Sequence, residues 1–155
     1  MKALIFSLFL FSLQILSAQE GKVIENENYD SELAKKLGAD DYGMKMYVFV
    51  ILKSGFNESD DKVARDSCFA GHMTNMGQLK DDGKLIVAGP MGENQADIRG
   101  IFILNVPTVG EAEVLLQTDP AIAADYLSAE LYPWYGSAAL PEYLDSSDKI
   151  WKVKP

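Results

Sequence analysis

Met46–Leu52 reads MYVFVIL, and Ile101–Leu104 reads IFIL. Each run is β-branched and aromatic, of strand length, and apolar at successive rather than alternate positions. A strand with one face in water alternates apolar and polar residues, so these two belong to a sheet covered on both faces. Two further stretches complete the set, Leu85–Ala88 (LIVA) and a weaker one over Ala129–Trp134 that contains Pro133. Proline offers no N–H to a ladder, which puts this last strand at an edge.

The segments between the strands have helical spacing. From Asp61 to Asp81, Phe69, Met73, Met76 and Leu79 recur three and four residues apart and form one apolar stripe, which Asp82-Gly83 brings to a stop. Thr108 caps a second helix starting at Val109, with Glu111 three residues on as a capping box and Ala112, Val114, Leu115 and Leu116 as its buried side. Asp119-Pro120 reads as a fresh cap followed by proline at the first helical position, opening a short turn through Ala121 to Asp125. The order β-α-β-β-α-β, with two helices on one face of a four-stranded antiparallel sheet, predicts an α+β fold of the ferredoxin-like kind. Two helices cover one face only. A second copy of the same sheet is the expected cover for the other, which predicts a homodimer through the sheet face.

The chain has 155 residues, 48% of them hydrophobic and 24% charged, enough apolar material for the core of one domain. Its net charge of -9 argues against nucleic acid and anionic membrane surfaces as partners. A single Cys excludes an internal disulfide, and a single His excludes the usual multi-histidine metal sites. No phosphate loop, nucleophile elbow or dinucleotide fingerprint is present, so no cofactor is expected.

At the N-terminus, Lys2 precedes an apolar run from Ala3 to Leu16 that closes on Ser17-Ala18. This is the pattern of a signal peptide over residues 1–19, cut near Ala18 or Gln19, and it predicts export to the periplasm or beyond. The run falls short of the roughly 20 apolar residues that span a bilayer, so no stable membrane anchor is expected. Residues 20–44 read as an acidic spacer with a short helix around Ser31–Leu37, and residues 45–155 as the folded domain, ending in a tail from Gly136.

Few residues in this pattern can carry chemistry. His72, the only imidazole, lies three residues after Phe69 and four before Met76, on the flank of the apolar stripe, and so points toward the seam between helix and sheet. There it is either a packed histidine satisfied by backbone or water, or a pocket base. Cys68, four residues earlier, could form a thiolate pair with His72 or serve as a small buried hydrophobe. Asp119 is accounted for by helix capping, with orientation of His72 as its rival role. Gly89-Pro90 and Gly92 end the second strand, where they turn the chain or let a ligand approach the backbone.

Several of these features in order are shared with a known family. MYVFVILK, then Gly71-His72-Met73, Gly83-Lys84-Leu85 leading into Ala88-Gly89-Pro90, Arg99-Gly100-Ile101, Asp119-Pro120 and Tyr132-Pro133-Trp134 together resemble the YciI-related (YCII domain) family from Lys45 to Trp134. The resemblance implies ferredoxin-like subunits paired as a dimeric α+β barrel, with a cleft holding a His and Asp pair. It carries this pair over to His72 and Asp119, and a few family members act on small chlorinated aromatic breakdown products. The signal peptide, acidic spacer and tail from Gly136 to Pro155 set this chain apart from the short cytoplasmic members. Three functions follow as expectations: acid-base chemistry of lyase or isomerase type on an unknown small organic ligand, ligand binding without turnover, or a structural homodimer.

Overall fold

The computed structural model describes residues 26–153, so the expected signal peptide lies outside the described part. Asp30 opens α1 (Ser31–Leu37), its carboxylate accepting from the N–H groups of Glu32 and Leu33, and Gly38 closes the helix with φ of 71°. This is the short helix that the acidic segment predicts. The following turn is tied to the domain: Asp40 accepts the N–H groups of Tyr42 and Met44 and the hydroxyl of Tyr135, while Lys45 Nζ donates to Leu37 O at 3.2 Å.

Four strands make one antiparallel sheet: β1 (Met44–Ser54), β2 (Leu85–Pro90), β3 (Ile98–Leu104) and β4 (Leu127–Ser137), in the spatial order β2-β3-β1-β4. Each strand extends beyond its apolar run because pairing continues into the polar flanks, as between Lys53 and Ser128 or Met44 and Ser137. β4 is an edge strand, and Pro133 lies on it opposite Val48. Register sorts the side chains into two faces. Across one face run the rows Leu85, Leu104, Val48, Pro133 and Ala88, Phe102, Val50, Leu131; across the other run Val87, Ile103, Phe49, Tyr132 and Gly89, Ile101, Ile51, Glu130.

The first face carries the core. Val48, Val50, Leu52, Phe102 and Leu104 pack there against Leu79 of α2 (Lys62–Asp81) and against Ala112 and Leu116 of α3 (Val109–Leu116). Ala121 of α4 (Pro120–Ala123) joins them. Thr108 and Asp119 cap as the sequence predicts, Thr108 accepting the Glu111 N–H at 3.3 Å and Asp119 the Ala121 N–H at 2.9 Å; Asp61, expected as the start of α2, is its cap and accepts the Ala64 N–H at 3.0 Å. On the second face Phe49, Ile51, Val87, Ile101 and Ile103 are only half-buried, whereas Tyr47, beside Trp134, is fully buried.

Two side chains depart from the expected core. Met73, placed by spacing on the apolar stripe of α2, is 48% exposed, while His72, Asn75 and Leu79 are the buried residues of that helix. α2 packs on the sheet and on α4 at once, with Gly71 close to Pro120, and Met73 lies outside the arc these two surfaces bury. Val114 is 63% exposed because the short helix α3 buries only the side that carries Ala112 and Leu116.

After β4 a 3-10 turn (Leu140–Tyr143) leads into α5 (Leu144–Ile150), which lies beside α2 and the free edge of β2. The Tyr143 hydroxyl donates to Ile86 O, and Lys80 pairs with Asp148 at 2.5 Å. None of the residues of α5 is fully buried, and Leu144 and Ser147 are half-buried. No helix among the described residues is long and apolar enough to cross a membrane.

Candidate functional site

His72 lies in the third turn of α2, above the middle of the sheet, with its ring 6.0 Å from that of Phe102 and nearly parallel to it at 21°. Phe69, one turn earlier, meets the imidazole edge-on at 6.3 Å and 76° and touches Tyr126 on its far side. These rings shed water from the imidazole, whose side chain is 11% exposed.

Asp119 comes to the same place from the other half of the chain. The last turn of α3 ends with the Asp119 N–H donating to Leu116 O at 3.1 Å, and Pro120 then starts α4 without needing a donor. Asp119 Oδ1 accepts from Ala121 and, at 3.4 Å, from Ile122, while Oδ2 lies 2.6 Å from His72 Nδ1. A carboxylate in this position accepts only, so in the neutral ring the hydrogen sits on Nδ1 and the lone pair on Nε2. Among the described residues no protein group hydrogen-bonds to Nε2. The arrangement is that of an oriented base: one nitrogen anchored by a carboxylate, the other without a protein partner.

Two contacts lock the pair. Gly71 lets α4 approach closely, since a Cβ there would lie 2.8 Å from Pro120 Cγ. Asn75, a turn beyond His72, donates through Nδ2 to Thr118 Oγ1 at 2.7 Å and Thr118 O at 3.3 Å, fixing the residue just before Asp119. Its Oδ1 is the one buried side-chain polar atom without a hydrogen-bond partner among the described residues. The sequence carries one signal for Asn75, a polar residue at three-residue spacing from His72, on the side of the helix expected to be apolar.

No family model matches the chain, and no curated relative matches it. Among solved structures, the chain is similar to a 5-chloro-2-hydroxyhydroquinone dehydrochlorinase from Burkholderia phenoliruptrix AC1100 in complex with 2,5-dihydroxybenzoquinone. The two share 22% identity over 56% of this chain and 92% of that one, with a TM-score of 0.41.

The other candidates do not join His72. Cys68 is half-buried on α2, but no hydrogen bond links it to the imidazole, whose Nδ1 is taken by Asp119. Pro90 and Gly92 border a cavity of about 570 Å³ at the β2–β3 connection, lined also by Asn94, Asp97 and Arg99 and without His72. Among the described residues no group of three or more His, Cys, Asp or Glu side chains is placed to hold a metal ion.

Proposed function

We propose that this chain is an exported, homodimeric, YCII-like protein that performs acid-base chemistry on a small organic molecule, with His72 as the general base and Asp119 as the group that orients it. The observation that carries this reading is the buried bond of 2.6 Å from His72 Nδ1 to Asp119 Oδ2, which leaves Nε2 as the unpaired nitrogen. In such a site Nε2 takes a proton from the substrate, and the positive charge that forms on the ring faces the Asp119 carboxylate. Return of the proton to another atom completes an isomerisation; departure of a leaving group with the freed electron pair completes an elimination. Cys68 is not bonded to the imidazole, which favours proton transfer over a covalent intermediate.

The homodimer is supported by the apolar rows of the uncovered sheet face, and export by the Lys2, Ala3–Leu16, Ser17-Ala18 pattern. The rival reading, a structural pair, draws on the capping bonds that Asp119 makes to α4 whether or not there is catalysis. One experiment separates the two. Small enolisable ketones and phenols are incubated with the protein in D2O, and deuterium uptake or conversion is followed by NMR for the wild type and His72→Asn. The catalytic reading expects a loss of about 100-fold or more in a variant that remains folded. Saturable binding without exchange would instead make the site a binding module, and a strongly destabilised variant with no lost activity would make the pair structural.

A further inference from the structure

Two glycines lie in the interior of α2, and their surroundings differ. Gly71 is required by the close approach of Pro120. At Gly77 an added Cβ would meet nothing within 4 Å, so no neighbour demands its small size. Glycine is a poor helix residue, because fixing its backbone costs more conformational freedom than fixing any other. Gly77 does border a half-open cavity of about 310 Å³ between α2, β2 and the C-terminal segment, whose walls include Met73, Met76, Leu85, Ala88, Leu144 and Trp151.

We propose that this cavity is a binding site for a small, flat, uncharged aromatic molecule, and that Gly77 keeps it open. The volume is at the lower end of the range for small-molecule sites and suits one or two fused rings. Two thioethers and an indole form walls that favour aromatic faces. The charged side chains at the cavity, Lys80 and Asp148, are paired with each other at 2.5 Å. A charged ligand would have to compete with that pair, whereas an uncharged one leaves it intact. Access is open on the side of the C-terminal segment, where α5 has no fully buried residue and Trp151 is 39% exposed. Neither His72 nor Asp119 lines the cavity, so the site is separate from the proposed base.

The test uses N-phenyl-1-naphthylamine, an uncharged fluorophore that brightens in apolar surroundings, titrated into the full chain. Wild type should bind it saturably, one molecule per chain. Gly77→Leu, whose side chain fills the cavity, should weaken binding by about tenfold or more without lowering the melting temperature. Trp151→Ala, a change outside the core, should weaken it severalfold and serves as the readout if the leucine variant does not fold. Absence of saturable binding by wild type, or equal binding by both variants, overturns the proposal. Equal affinity for the anionic probe 1-anilinonaphthalene-8-sulfonate overturns the part that concerns charge.

Discussion

Asp119 joins two parts of the fold through its two carboxylate oxygens: Oδ2 holds His72 Nδ1 at 2.6 Å, and Oδ1 holds the Ala121 N–H at 2.9 Å. The same side chain thus sets where α4 begins and which way the imidazole faces. Asp119→Ala removes both bonds and should cost about 1–3 kcal/mol in thermal or denaturant melts. Asp119→Asn retains a cap through Oδ1 while turning an N–H donor toward the ring, which moves the ring hydrogen to Nε2. Since His72 is the only histidine, ¹⁵N shifts of the ring report this directly. The expected outcome is a folded protein in the opposite tautomer without base activity, and an unchanged tautomer would contradict the orienting role.

The two glycines of α2 should respond to alanine with opposite signs. Gly71→Ala drives a Cβ to 2.8 Å from the rigid Pro120 ring, and the separation of α2 from α4 should cost about 1–3 kcal/mol. Gly77→Ala meets open space and should stabilise by about 0.5–1 kcal/mol. Urea melts of both variants check the pair of signs.

Tyr135 and Asp40 fasten the turn after α1 to β4, and their bond has a defined pH window. The Tyr135 hydroxyl, with the Met44 N–H next in effect, holds the Asp40 carboxyl below its usual 3.8, and the same bond to Asp40 pushes Tyr135 up to about 12. A lowered carboxyl adds stability above its unfolded value and loses it as pH falls through the folded one. A raised phenol adds stability below its unfolded value of 10.0 and loses it as pH climbs through about 12. The attachment should therefore hold across neutral pH and loosen at both extremes. In an alkaline absorbance titration, Tyr47, Tyr132, Tyr135 and Tyr143 should all ionise above the ordinary tyrosine value, and Tyr135→Phe should remove the latest of them.

The uncovered sheet face predicts a dimer burying more than about 1,200 Å² in total. Light scattering should give twice the chain mass at micromolar concentration. Phe49→Lys, in the middle of that face and away from the core, should yield a folded monomer. A monomeric wild type would remove the argument for pairing.

Intact-mass measurement of protein from its native host should find a chain beginning near Glu20. A species that keeps Met1–Gln19 would rule out cleavage there.

Much of the architecture can be read from local chemistry. β-branched runs become strands, Thr108 and Asp119 become caps, and Pro133 goes to an edge because it lacks a donor. These outcomes depend on neighbours within one turn or one strand pair, and that information is contiguous in the chain. His72 was legible as a residue turned toward the seam, and Asp119 as a cap. Spacing offers their bond only as Asp119's alternative to capping, which the family resemblance favours, because 47 residues separate them and nothing local brings them within reach.

Tertiary structure decided the rest. α2 packs on two surfaces at once, the sheet and α4, so Phe69, Met76 and Leu79 of the expected stripe face the core, His72 and Asn75 are buried beside them, and Met73 is not. The docking of α5 rests on Tyr143 with Ile86 and Lys80 with Asp148, pairs that lie far apart in the chain. Periodicity specifies which residues share a face of one element. Which face is buried, and what a side chain meets there, is settled only when several elements compete for the same space.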